Sequence, residues 1–236
     1  MLNDTLLPAA AARSAAADSK PIDLVHLRGL PVRQELKPAR LWYQSEDLLE
    51  GLGLELAVAI EARLGRSPDL IVGIARGGSH VADQVCLHLP LADRFDVALS
   101  RPGTNVKRLL RLRHLIPHLP STFNNALRVA EVNYRELVWR AAHNDLHPVD
   151  HHEQLRSAVE LQRALLAGVK DIVIVDDTVD SGRTIVTVRD ELQLAVSGAR
   201  IWTAVIASTW RQPPFVPDIV LRERVLMRFP WSLDAH

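Results

Sequence analysis

The stretch Asp171–Thr184, DIVIVDDTVDSGRT, constrains the fold of this chain more than any other. It opens on four consecutive apolar, β-branched residues, Ile172, Val173, Ile174 and Val175. A short run that is apolar at every position predicts a parallel strand buried on both faces, because a strand with one wet face would alternate. Asp176 and Asp177 follow, then two spacers, then Asp180, Ser181, Gly182, Arg183 and Thr184. An amphipathic run begins at Ile185. The order is a strand, a tight acidic loop containing a glycine, and a helix.

That order carries a chemistry. The first backbone N–H groups of a helix have no partner within it and bind anions, phosphate above all. Ser181 and Thr184 add hydroxyls, and Gly182 permits close backbone approach. Phosphate alone does not call for Asp176 and Asp177. Paired carboxylates beside a phosphate cradle suit sugar hydroxyls, or hydroxyls together with a hydrated Mg²⁺. The ligand these residue types imply is a sugar phosphate; a plain strand, Asx turn and helix cap would share the spacing.

The stretch resembles the PRPP-binding motif of type I phosphoribosyltransferases: an apolar strand, two acids, two spacers, a variable residue, Thr or Ser, Gly, any residue, Thr. By that resemblance Asp176 and Asp177 hold the ribose hydroxyls and the metal, and Ser181, Gly182, Arg183 and Thr184 hold the 5-phosphate. Asp180 stands at the variable position. An acid there is similar to the 6-oxopurine enzymes, where adenine enzymes tend to have Ala, orotate enzymes Thr and the pyrimidine-operon regulator Tyr. The resemblance implies an α/β fold, a doubly wound parallel sheet with sites at the carboxyl ends of its strands, a helical insertion and a small C-terminal hood.

Composition is compatible with this. A chain of 236 residues with 47% hydrophobic and 24% charged residues can bury one large core. Formal net charge is zero, so no global field draws it to nucleic acid or a membrane. Cys86 is the only cysteine, which precludes an internal disulfide framework and fits a reducing cytoplasm. No apolar run reaches the roughly 18 residues of a membrane span.

Residues 1–20 are Ala-rich and read as a disordered tail, with a single domain over 21–236. Leu41–Gln44 is a short strand candidate. Ser45 is a plausible N-cap for a helix carrying Leu49, Leu52, Leu56, Ile60 and Leu64 at helical spacing, weakened by Gly51 and Gly53. Asp69–Ala75 is a second buried strand. It runs into Arg76, Gly77, Gly78 and Ser79 and then into the helical run Val81, Val85, Leu89, a second strand–turn–helix anion site with a fixed cation. Beside the first motif it resembles the pyrophosphate loop of xanthine-guanine and related phosphoribosyltransferases, which assigns pyrophosphate to Ala75, Arg76 and Gly77. That loop often needs an unusual backbone conformation, which Gly77 would relieve.

Arg94–Ser100 is a third strand candidate. The insertion, about 101–165, opens on a basic segment with Lys107 and Arg108, read as a solvated helix face or, by resemblance, as a loop closing over pyrophosphate. Helices are expected over Ser121–Ala142, with Leu127, Ala130, Tyr134, Leu137, Val138 and Ala141 on one side, and over Asp150–Leu166. Such an insertion could serve as an accessory hood or a dimer contact. His143, Asp145, His147, Asp150, His151 and His152 between them read as a polar helix junction rather than a zinc site. After the PRPP loop come a helix from Ile185, a strand over Arg200–Ala207, and strands of a terminal cap at Asp218–Leu221 and Arg224–Phe229.

The ending FPWSLD resembles the PW-plus-acid tail that covers the base in xanthine-guanine-like enzymes, with Pro230 and Trp231 matching. Two departures concern the base. Where those enzymes have a lysine for the exocyclic oxygen, this chain has Ser208, Thr209 and Trp210. Where they stack an aromatic, it has Val225, Leu226 and Met227. Trp210 and Trp231 are the expected base-pocket residues. The resemblance implies a cytoplasmic, Mg²⁺-dependent transferase of purine salvage, expected as a homodimer, that moves phosphoribosyl from PRPP to a nitrogen base. Arg76 and Asp180 are its catalytic candidates. A non-catalytic PRPP or nucleotide sensor on the same fold is the alternative.

Overall fold

The apolar run of the central motif becomes β4 (Asp171–Val179), the middle strand of a five-stranded parallel sheet. The structure is a computed structural model and describes residues 41–43, 46–99, 121–141, 152–162, 166–196 and 198–231. The expected tail and the segments 101–120 and 142–151, with Lys107, Arg108 and most of the histidines, lie outside these. The sheet's other strands are β2 (Leu70–Ala75), β3 (Asp93–Ala98), β5 (Arg200–Ser208) and β6 (Ile219–Glu223), in the order β3-β2-β4-β5-β6. A short parallel pair joins β1 (Leu41–Tyr43) to β7 (Leu226–Arg228), with Leu41 opposite Leu226.

Helices cover both faces, which explains why β2 and β4 are apolar throughout. On one side α1 (Glu46–Leu64) and α2 (Gly77–His88) pack Leu49, Leu52, Leu56, Ile60, Val81 and Val85 against Ile71, Val173, Val175 and Ile206. On the other, α4 (His152–Leu161) and α5 (Arg183–Ala195) pack Leu155, Val159, Ile185, Val188 and Leu192 against Val72, Ile172, Ile174 and Val205. Each such aliphatic side chain, taken fully out of water, contributes about 1.5–3 kcal/mol before entropy is counted. Gly53 is a contact rather than a weakness. A Cβ there would lie 2.4 Å from Gln84 Cβ, so its absence lets α1 and α2 approach.

The amino ends of the strands are tied by charge. The Asp171 carboxylate, wholly buried, accepts from Arg66 Nε at 2.9 Å, Arg200 Nη2 at 2.8 Å and Trp202 Nε1 at 3.1 Å. Burial pushes its carboxyl up, but the bonds from Arg200, Trp202 and Arg66 outweigh this and hold it below the usual carboxylate value. Asp69 accepts from the backbone N–H of Lys170 and Asp171, each at 2.8 Å, and so locks β2 to β4.

Several expectations shift. β4 continues through Asp176 and Asp177 to Val179, so the acids ride on the strand instead of opening the loop, with Asp176 in register with Val205. Helix α2 starts at Gly77, immediately after the strand. The segment at Asp218–Leu221 is no cap strand: β6 joins the main sheet beside β5, where Thr203 N–H and Oγ1 donate to Asp218 at 2.9 and 2.7 Å. Helix α3 (Ser121–Ala141) forms as expected, but its apolar stripe points outward, with Tyr134 66% and Leu137 64% exposed. The side turned to the body carries Glu136, only 5% exposed, and Trp139.

Candidate functional site

Both loops singled out in the sequence lie at the carboxyl ends of adjacent strands, since β2 pairs with β4 with Gly73 opposite Val175. Two glycines bring them together. A Cβ on Gly77 would lie 1.9 Å from Asp177 Oδ2, and one on Gly78 would lie 2.5 Å from Val175 O. Any side chain at either position would separate the start of α2 from the acid pair. Gly77 is expected to ease an unusual backbone in this loop; its lack of a side chain also makes room for Asp177. The unusual geometry sits one bond earlier, where the Ala75–Arg76 peptide is cis. Arg76 is exposed at the start of α2 and makes no hydrogen bond or ion pair among the described residues.

The acid pair is held from several sides. Asp176 is buried, and its Oδ1 accepts from Asp177 N–H at 2.9 Å. Asp177 Oδ1 accepts from Thr178 N–H at 2.7 Å and from Thr178 Oγ1 at 3.2 Å. Asp177 Oδ2 accepts from Trp231 Nε1 at 2.8 Å. The Trp231 indole is also stacked on His80 and on Phe229, with centroids 4.7 and 4.8 Å away. The C-terminal segment thereby lies over the acid pair and the start of α2 at once.

The second loop turns at Gly182, whose φ of 78° is a left-handed conformation that favours glycine, and which caps α5. A Cβ there would also meet Phe215 Cβ at 2.6 Å. Ser181 Oγ accepts from Arg183 N–H at 3.4 Å, and Thr184 lies half-buried in the first turn of α5. Ser181, Gly182 and Thr184 therefore stand together at the amino end of α5, a kind of place where backbone N–H groups can take an anion. Asp180 Oδ1 accepts from Thr209 Oγ1, which ties this loop to the residue after β5.

Helix α3 supplies site residues that the sequence did not single out. Arg135 Nη1 lies 3.8 Å from Asp180 Oδ2. Glu136, one residue on, accepts the backbone N–H groups of Arg211 and Gln212 at 3.1 and 2.9 Å. Trp139, one turn past Arg135, has the Arg183 guanidinium 4.8 Å from its ring centre and tilts against Trp210 at 5.8 Å. Trp210 is buried beneath it, and its Nε1 has no hydrogen-bond partner among the described residues. Arg183 Nε is likewise buried and without a partner among them. The one hint in the sequence was helical periodicity in 121–142; which side of that helix would meet the site depends on how it docks.

As for a metal, no group of three or more His, Cys, Asp or Glu side chains is clustered for one among the described residues. Asp176 and Asp177 offer hard oxygen donors from two adjacent positions of β4. That donor set fits Mg²⁺, which keeps several waters and takes only one or two carboxylates from a protein. It does not fit zinc, which needs three or four side chains.

No family profile matches this chain, and no curated protein matches it in sequence. Solved structures do match. The xanthine-guanine-hypoxanthine phosphoribosyltransferase of Helicobacter pylori is 16% identical, with 83% of this chain and 95% of that one covered and a TM-score of 0.50. A purine phosphoribosyltransferase from Pyrococcus horikoshii is 18% identical over 80% of this chain and 92% of that one, at a TM-score of 0.47. A hypothetical protein from Neisseria gonorrhoeae with bound ppGpp is 14% identical over 83% and 90%, at 0.48. The chain has the type I phosphoribosyltransferase fold. No helix among the described residues is long and apolar enough to cross a membrane.

Proposed function

We propose that this protein is a phosphoribosyltransferase, transferring the phosphoribosyl group of PRPP to a nitrogen base, purine-like by preference, with release of pyrophosphate. One observation carries the reading. Two helix amino ends, one led by Arg76 and the other by Ser181–Thr184, follow the carboxyl ends of the adjacent strands β2 and β4, and Gly77 and Gly78 lack the side chains that would hold the first away from the carboxylate pair. A ligand with phosphate at both ends and hydroxyls between them matches that order, and PRPP is such a ligand.

In this reading the amino end of α5, with Ser181 and Thr184, grips the 5-phosphate. Asp176 and Asp177 accept the ribose hydroxyls. Arg76 and the amino end of α2 take the pyrophosphate, neutralising charge as it builds on the leaving oxygen. The anomeric C–O bond breaks with its electron pair going to pyrophosphate. The base nitrogen donates its lone pair to form the C–N bond, and its proton passes to Asp180. Mg²⁺, held by Asp176 and Asp177, would screen the carboxylates from the diphosphate. Positioning supplies much of the rate, because donor and nucleophile are held in line.

The test is direct. Calorimetry should detect PRPP binding that requires Mg²⁺, and purified protein with PRPP, Mg²⁺ and a panel of bases should release pyrophosphate with at least one. Lack of PRPP binding with or without Mg²⁺ refutes the reading. Binding without release for any base would favour the sensor.

A further inference from the structure

We propose that Arg94, on the edge strand β3, is a positioning residue for the diphosphate end of the site: it seats the first two turns of α2 and neutralises two carboxylates that lie against them. The role rests on the phosphoribosyltransferase reading, in which the amino end of α2 takes the pyrophosphate, and Arg94 itself touches no substrate in it.

The clamp begins with a missing side chain. Strands β2 and β3 pair with Ile71 opposite Arg94 and Gly73 opposite Asp96. A Cβ on Gly73 would lie 2.3 Å from Asp96 Oδ1 and 3.1 Å from both Ser79 Cα and Ala82 Cβ. The space between β2 and α2 at that point is therefore taken by the Asp96 carboxylate. Arg94 binds this carboxylate to the helix. Its Nη2 donates to Asp96 Oδ2 at 2.8 Å and to the Ser79 carbonyl at 3.1 Å, and its Nη1 donates to Asp83 Oδ1. One planar guanidinium, with its donors in a fixed fork, thus joins β3 to α2 at Ser79 and again one turn later at Asp83.

Two consequences reach the amino end of α2. The first is mechanical. Ser79 stands two residues past Gly77, about 3 Å along the helix axis, and Gly77 is the residue with no room for a Cβ beside Asp177. A helix is stiff over one turn, so what fixes Ser79 and Asp83 fixes Gly77 against the acid pair. The second is electrostatic. Asp83 and Asp96 are two negative charges against the first two turns of a helix whose amino end is assigned a multiply charged anion. Uncovered, they would oppose the anion that the helix dipole attracts, and the Arg94 cation covers both. Helix α5 packs on the other face of the sheet, so the clamp acts on the diphosphate end and not on the 5-phosphate end.

The experiment measures binding by calorimetry in the presence of Mg²⁺, with pyrophosphate, PRPP and ribose 5-phosphate as probes, in wild type, Arg94→Met and Arg94→Lys. Methionine keeps the apolar stem and loses the charge and the fork; lysine keeps the charge alone. Arg94→Met should weaken pyrophosphate and PRPP by about tenfold, while ribose 5-phosphate changes by less than about twofold. Arg94→Lys should fall between Arg94→Met and wild type for the two diphosphates, and it carries the same contrast with ribose 5-phosphate if Arg94→Met does not fold. Unchanged diphosphate binding in both variants overturns the proposal, and so does an Arg94→Lys protein no better than Arg94→Met. Equal loss for all three probes makes Arg94 a residue of general stability, which also overturns it. So does a wild type that binds pyrophosphate or ribose 5-phosphate but not both, because the role is defined by the contrast between the two ends. A wild type that binds none of the three refutes the phosphoribosyl reading itself, a separate outcome.

Discussion

Gly77→Ala tests the convergence on which the functional reading depends. The new methyl would lie 1.9 Å from Asp177 Oδ2 and 2.3 Å from its Cγ. Ordinary carbon contacts begin at about 3.5 Å, so the carboxylate or the start of α2 must move by roughly 1.5 Å. Asp177 cannot turn freely, because Thr178 N–H, Thr178 Oγ1 and Trp231 Nε1 hold its two oxygens. Losing one or two of these bonds to a charged acceptor, with the overpacking, is expected to cost about 1–3 kcal/mol of stability. The effect on ligand binding should be larger in consequence, since the displaced atoms are those that the proposed function assigns to the ribose and the diphosphate; a tenfold loss of PRPP affinity needs only about 1.4 kcal/mol. Gly51→Ala is the control: it lies in α1, nothing lies within 4 Å of its added Cβ, and alanine should raise stability by about 0.5–1 kcal/mol. Urea denaturation and PRPP–Mg²⁺ calorimetry read both variants. If Gly77→Ala matches Gly51→Ala in stability and binds PRPP like wild type, the two loops do not meet as described.

Trp231→Phe keeps a stacking ring on His80 and Phe229 but removes the donor from Asp177 Oδ2. If that indole competes with a ribose hydroxyl, PRPP affinity should rise, by up to about tenfold; weaker binding would instead show that it orients the acid. Asp180→Asn should leave PRPP affinity within about threefold and lower pyrophosphate release by roughly 10²-fold, and equal losses in both would make Asp180 structural. Asp171 and Asp69 are both held below ordinary carboxylate values, Asp69 chiefly by the Arg66 hydrogen bond. The unfolded chain then takes up protons first on acidification, so their contribution is complete above about pH 4 and is lost as pH falls below it. Asp171→Asn should remove part of that acid-side slope in urea-denaturation midpoints and cost about 2 kcal/mol at neutral pH; an unchanged slope would refute the role given to the network.

Much of the scaffold was legible because its signals are local. The uninterrupted apolar runs of β2 and β4 state that both faces are covered, and the helical spacing of Leu49, Leu52, Leu56 and Ile60 states which side of α1 is buried. The glycines and hydroxyls at the starts of α2 and α5 are likewise sequence-near, so both strand–helix junctions could be found without coordinates. Strand ends were less legible. Asp176 and Asp177 stay within β4 because β5 continues to pair alongside, and pairing is a property of two strands. For the same reason residues at 218–221 read as a cap, although β5 offers them an edge.

The tertiary structure alone decided what meets what. Periodicity grouped Tyr134, Leu137 and Val138 on one side of α3, and hydrophobicity argues that such a side turns inward. The helix docks the other way, because Glu136 finds two backbone N–H groups and Trp139 finds Trp210 and a guanidinium. Contacts between residues 45 to 76 positions apart leave no periodic trace, so Arg135 beside Asp180 and Glu136 beside the 211–212 backbone could not be read from spacing. Gly77 shows the same division: the sequence marks a residue without a side chain, and only the folded chain shows that the space it leaves belongs to Asp177.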